Sequence, residues 1–176
     1  METIYEVSRI KQVIREVKDR RFEKRVCNPW DVKDVALHFI ADDDREVFLV
    51  ICLNTRNDVI AVHRSHIGTL ATAAVSPREI FKACILNNAR SFIVAHNHPS
   101  NDIKPSKEDF NITESLLKSG LILEIPLLDH LIVNSKGDFF SFKQEGFLLE
   151  DRVIKRKVFI TNTIKKEASP ASPQCE

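Results

Sequence analysis

The chain has 176 residues, 43% of them hydrophobic and 29% charged, enough for one globular domain with its own core and too few for two of full size. Four glycines and seven prolines exclude collagen-like and low-complexity chains, and a net charge of +1 excludes a surface that is everywhere a footprint for nucleic acid. Cys27, Cys52, Cys84 and Cys175 form no C-x-x-C pair, the first residues carry no apolar leader, and no window of about 18 apolar residues occurs, so a cytoplasmic protein with reduced thiols and no membrane span is expected.

Residues 1–27 read as an N-terminal extension. Ile10, Val13, Ile14 and Val17 have helical spacing, while Ile10, Gln12, Ile14 and Glu16 alternate equally well as on a strand. Residues 28–149 carry the domain. Asn28 as cap and Pro29 at the first helical position, followed by the stripe Val32, Val35, Ala36 and Phe39, predict a helix over 29–40. The β-branched and aromatic run from Glu46 to Leu53 predicts a buried strand, with a hairpin loop at 54–58 and a return strand from Val59 to about Ser65. A further extended piece is expected near Thr72–Val75. Ser76-Pro77-Arg78-Glu79 reads as a capping box opening a helix to about Asn88. Ser91–Ala95 predicts a central strand leading into His96-Asn97-His98, with Cys52 and Cys84 in the core. Ser106 starts another helix, with Ile112, Leu116 and Leu117 on its buried face and Gly120 as its stop. Leu127–Val133 and Phe139–Phe142 read as a second hairpin, so the sheet is not purely parallel. Residues 150–176 read as a basic, partly disordered tail.

The stretch that carries chemistry is His96-x-His98, then seven residues, then Ser106-x-x-Asp109. Histidines at i and i+2 of an extended segment project from one face, so both imidazoles reach a common point about 2 Å away, the distance at which Zn²⁺ takes nitrogen. Asp109, in the first turn of the next helix, adds a carboxylate that the helix N-terminus keeps ionised. Two nitrogens and one oxygen leave a fourth tetrahedral position open, the arrangement of a catalytic zinc rather than a structural one. The bland alternative has both histidines satisfied by backbone, Ser106 as an ordinary cap and Asp109 as an ordinary third helical residue.

Together with Arg45-Glu46-Val47-Phe48, Gly68-Thr69-Leu70, Ser76-Pro77-Arg78-Glu79-Ile80, His96-Asn97-His98-Pro99-Ser100 and Leu128-Asp129-His130-Leu131-Ile132, in that order, the motif resembles the JAB/MPN (JAMM) metalloproteases, and within them the RadC-like branch. The resemblance covers about residues 28–149. It implies an α/β (α+β) fold with a mixed, largely antiparallel central sheet flanked by helices, the JAB/MPN (cytidine-deaminase-like) architecture. It further implies His96, His98 and Asp109 as ligands of Zn²⁺, Glu46 as general acid/base and Ser106 as the donor that steadies the oxyanion. Read from spacing alone, Glu46 is as well explained as a solvated charge at a strand end. The chain departs from the family pattern in leaving no room for an N-terminal helix-hairpin-helix module, and it shows no insertion resembling a ubiquitin-binding segment.

Two functions follow as expectations. The first is a zinc-dependent hydrolase of amide or isopeptide bonds in a peptide or protein substrate. The alternative is a DNA-associated repair or mobile-element accessory protein of the RadC type, binding nucleic acid weakly and without sequence preference through basic flanks at residues 9–25 and 152–166. His96-Asn97-His98 does not make an HNH nuclease, whose motif abbreviates residues far apart in sequence. His38, His63 and His66 read as exposed or satisfied histidines. For Asp129 and His130 a supporting role behind the metal and an ordinary strand role both stay open.

Overall fold

The computed structural model describes residues 12–17, 25–68 and 75–148. Within them the elements follow the order α1 (Pro29–Ile40), β1 (Val47–Leu53), β2 (Val59–Ile67), α2 (Pro77–Leu86), β3 (Ser91–Asn97), α3 (Lys107–Leu123), β4 (Leu127–Val133) and β5 (Phe139–Ser141). The strands form one sheet in the order β2-β1-β3-β4-β5. Every neighbouring pair is antiparallel except β3 and β4, which run parallel and are joined through α3. This is the mixed, largely antiparallel sheet flanked by helices that the resemblance implied, and it matches the JAB/MPN fold.

Strand alternation divides the core in two. Val47, Leu49, Ile51 and Leu53 of β1, with Ile93 and Ala95 of β3, face Val32, Val35, Ala36 and Ile40 of α1. Phe48, Val50 and Cys52, with Phe92 and Val94, face Ile80, Phe81 and Cys84 of α2 and Leu116 of α3. Because both faces of β1 and β3 are covered, both strands read as continuous apolar runs. The helix α1 starts where its cap demands: the Asn28 side chain accepts from the Trp30 and Asp31 N–H groups, and Asp31 accepts in return from the Asn28 N–H.

Several local expectations are corrected. The strand β2 continues to Ile67, two residues past Ser65, and β5 ends at Ser141. The Ser76 hydroxyl makes no capping bond. Its main-chain carbonyl closes the start of α2 instead, accepting from the N–H groups of Glu79 and Ile80, and the helix ends at Leu86. Nor does Gly120 stop α3. The helix runs to Leu123 and is ended by Glu124 in the left-handed conformation, φ 56°. At Gly120 the chain needs closeness rather than a turn, since an added Cβ would lie 2.7 Å from the Ile125 carbonyl oxygen. Residues 12–17 form neither helix nor strand, Val75 belongs to no strand, and residues 69–74, the rest of the N-terminal extension up to residue 24 and the tail from 149 lie outside the described residues. No helix among the described residues is long and apolar enough to cross a membrane.

The connection through α3 places a functional end on the sheet. The chain leaves β3 at Asn97 and re-enters helix at Lys107, so the N-terminus of α3 sits beyond the carboxyl end of β3. There the antiparallel register of β1 against β3, with Phe48 opposite His96, brings the residue preceding β1 alongside His98.

Candidate metal centre

Four side chains converge at that end. His96 is the sixth residue of β3, His98 follows the strand, Asp109 lies in the first turn of α3 and Glu46 immediately precedes β1. One ligand atom from each lies within 4.8 Å of the others. The Nε2 atoms of His96 and His98 are 3.0 Å apart, and Asp109 Oδ1 is 3.1 Å from His96 Nε2. Ligands on a tetrahedral ion with bonds of about 2.0–2.1 Å stand about 3.3 Å from one another, so these two separations suit such an ion, while the contact of His98 Nε2 with Asp109 is to Oδ2, at 3.8 Å. Glu46 stands further back, with Oε1 3.8 Å from His96 Nε2 and 3.9 Å from His98 Nε2.

The hydrogen bonds behind these atoms decide where the protons are. Thr113 Oγ1 has one proton, and it donates to the Asp109 carbonyl at 2.5 Å, which can only accept. Thr113 Oγ1 therefore accepts from His130 Nδ1 at 2.6 Å. The other ring nitrogen of His130 then accepts from His96 Nδ1 at 2.9 Å. In a neutral His96 this leaves Nε2 a bare lone pair. His98 reaches the same state by another route, because its Nδ1 donates to the Asp102 carbonyl at 2.5 Å.

Burial and neighbouring charge act on the same groups. His130 is fully buried, stacked on Phe142 at 4.8 Å, and burial together with the adjacent His96 pushes its pKa well below the ordinary histidine value. It is held neutral, as an acceptor at Nε2 must be. Burial alone would raise the pKa of Asp109, but the bond and charge that His96 offers when it carries a second proton, with two bonds from Ser106, outweigh it and hold the carboxyl well below the usual carboxylate range. Both Ser106 bonds, from hydroxyl and N–H, go to Asp109 Oδ2 at 2.7 Å. Oδ2 is thereby occupied, while the buried Oδ1 has no hydrogen-bond partner.

With both histidines neutral, two imidazole lone pairs and one carboxylate oxygen meet with no proton among them. A cation removes that repulsion, and the N, N, O donor set with one position left suits a divalent metal. The residues therefore fit a metal held by His96, His98 and Asp109, with Glu46 beside it. A recess of about 430 Å³ opens next to His98, bordered by Asp42, Asp43, Asp44, Asn97 and Ser135.

Of the residues read from sequence, the structure gathers Glu46, His96, His98 and Asp109 and places Ser106 as a two-way cap of α3 bonded to Asp109. His63 is exposed, His38 and His66 are half-buried, and none of the three joins the cluster; the His66 Nε2 atom is buried with no partner among the described residues. The pair Asp129-His130 separates by strand alternation. His130 backs His96, whereas Asp129 turns to the other face and accepts from the Ser141 hydroxyl and the Lys143 N–H. Thr113 went unread in the sequence, although its position four residues after Asp109 on one helical face was a usable signal.

Residues 26–147 match the family model of the RadC-like JAB domain. Similar proteins include UPF0758 proteins of Clostridioides difficile (strain 630), 42% identical over 120 residues, which are 68% of this chain and 51% of that one; and of Methanosarcina barkeri (strain Fusaro / DSM 804), 37% identical over 126 residues, 72% of this chain and 55% of that one. A third, from Clostridium kluyveri (strain NBRC 12016), is 44% identical over 124 residues, 70% of this chain and 54% of its own. The chain spans about half the length of the curated relatives it matches. Every helix and strand described above lies inside the matched region, and the chain belongs to the RadC-like JAB domain family.

Proposed function

We propose that the protein is a zinc-dependent hydrolase of amide or isopeptide bonds in a peptide or protein substrate. The observation that carries this reading is the meeting of His96 Nε2, His98 Nε2 and the buried Asp109 Oδ1, with a carboxylate set back from them at Glu46. Zn²⁺ bound by His96, His98 and Asp109 would supply Lewis acidity, lowering the pKa of water towards about 7 and polarising a carbonyl.

The chain's own residues supply the rest. Glu46 stands at nearly equal distance from the two histidine nitrogens, where a carboxylate can take a proton from the attacking water and return it to the leaving amine. The Ser106 hydroxyl, fixed at the start of α3, gives its one proton to Asp109 Oδ2, and turning that proton outward would make it a donor to a developing oxyanion. The acidic run Asp42–Asp44 beside the recess favours a neutral or basic substrate segment over a phosphodiester, because like charges repel.

Elemental analysis of the full chain supplied with zinc, compared with His96→Ala/His98→Ala, tests the centre: one Zn²⁺ per wild-type chain and none in the variant is expected. Glu46→Gln should keep the metal and lose hydrolysis of a panel of peptides and isopeptides. Equal metal content in wild type and the double variant would sink the reading, and loss of zinc from a folded Glu46→Gln protein would make Glu46 a ligand instead of a base.

A further inference from the structure

We propose that Asn97, the residue between the two histidines, is a positioning residue that holds Glu46 at its distance from the metal centre; this rests on the hydrolase reading above. Strand alternation turns Asn97 away from the cluster, towards the α1 side of the sheet, and its side chain is buried. All of its recorded bonds go to the main chain on either side of Glu46. Oδ1 accepts from the Val47 N–H at 2.7 Å, and Nδ2 donates to the Arg45 carbonyl at 3.0 Å and to the Asp43 carbonyl at 3.3 Å.

The placement of these bonds matters. Main-chain pairing of β1 with β3 ends at Phe48 opposite His96, two residues short of Glu46. Beyond that point the side chain of Asn97 does what the ladder no longer does, bonding the peptide groups that precede and follow Glu46 to the strand that carries both histidines. Only a carboxamide of this length provides one acceptor and two donors there. Aspartate would keep the acceptor and set a charge against two carbonyls, and alanine would remove the clamp.

Released from it on the β3 side, and still held on the β2 side by the Gly68 N–H on the Glu46 carbonyl at 2.8 Å, the Glu46 carboxylate can close the remaining distance and occupy the open coordination position, which would end its use as a base. Asn97 thus separates the role of base from the role of ligand. The consequence is read without any substrate in the full chain loaded with Co²⁺, whose visible absorption reports the ligand set and its geometry. The comparison uses wild type, Asn97→Ala, Glu46→Gln and the double variant. A shift of the visible band on Asn97→Ala when Glu46 is present, and no shift from the same change in the Glu46→Gln background, is the expected result. An equal shift in both backgrounds would mean that Asn97 acts on the histidines or the fold at large, and no shift in either would mean that Glu46 does not need it; each overturns the proposal. Should Asn97→Ala fail to unfold cooperatively, Asn97→Asp, which keeps the Val47 acceptor, carries the same comparison. A wild-type chain that takes up no Co²⁺ overturns the hydrolase reading itself, an outcome distinct from the others.

Discussion

The Ser106 hydroxyl accepts from the Asp109 N–H and donates to the Asp109 carboxylate, so Ser106→Ala removes a cap and a ligand's anchor together. The cap contributes about 1 kcal/mol, whereas loss of an oxyanion donor lowers rate by about 10² to 10³. Urea unfolding of the metal-free chain beside hydrolysis of the metal-loaded one separates the two, and a rate loss of less than about tenfold would leave Ser106 only its structural part. Asp129 presents the opposite electrostatics. Burial pushes its pKa up, against bonds from the Ser141 hydroxyl and the Lys143 and His130 N–H groups. A carboxyl raised above its unfolded value contributes stability below the unfolded pKa and loses it as pH rises through the folded one. Asn at this position keeps one oxygen for the two N–H groups and can donate to Ser141. Asp129→Asn should therefore fall within about 1 kcal/mol of wild type and gain on it as pH is raised from 4 to 7. A wild type that gains on the variant over that range would contradict this.

Among the elements, α3 brings one residue of the centre together with that residue's support. It presents Asp109 and Thr113 on one face, four residues apart, and that face is buried against the sheet down to Leu116 and Gly120. The missing side chain at Gly120 lets the Ile125 carbonyl approach as the chain turns back into β4. Gly120→Ala should then destabilise by about 1–3 kcal/mol through overpacking, despite the better helix propensity of alanine. Thermal unfolding checks it, and a variant at least as stable as wild type would show that the backbone gives way. The same element shows how far a sequence can be read. The start of α3 was legible because Ser106 and Asp109 make a local capping box. Its end was not, because Gly120 is glycine for the sake of a contact made by a residue outside the helix.

On the scale of the whole molecule, every helix and strand among the described residues, and every residue of the candidate centre, lies before residue 142. The basic flank is separate in sequence: Arg152, Lys155, Arg156, Lys157, Lys165 and Lys166 oppose few acids. Removing residues 151–176 should leave metal content and the unfolding transition unchanged. It should weaken any binding of DNA, which is expected to be sequence-blind and to fall steeply with salt, each phosphate contact adding about −0.9 to the logarithmic slope. Affinity measured against salt for both chains decides it. Tight, sequence-selective binding that survives truncation would favour the DNA-acting alternative over the peptide-bond hydrolase.

What could be determined from sequence alone is what short-range physics encodes. Cap residues and apolar periods placed α1, β1, β3 and the start of α3, and the spacing of His96, His98, Ser106 and Asp109 marked one chemical locus. Glu46 entered that locus through family resemblance, since 50 residues separate it from His96 and only the register of β1 against β3 sets them together. The supporting bonds were decided by tertiary structure in the same way. His130 reaches His96 because β4 lies parallel to β3, and Asn97 reaches the chain around Glu46 because the ladder of β1 with β3 stops at Phe48, two residues short of Glu46. Neither a helical period nor an alternation carries register, because register is fixed by pairing between segments far apart in the chain.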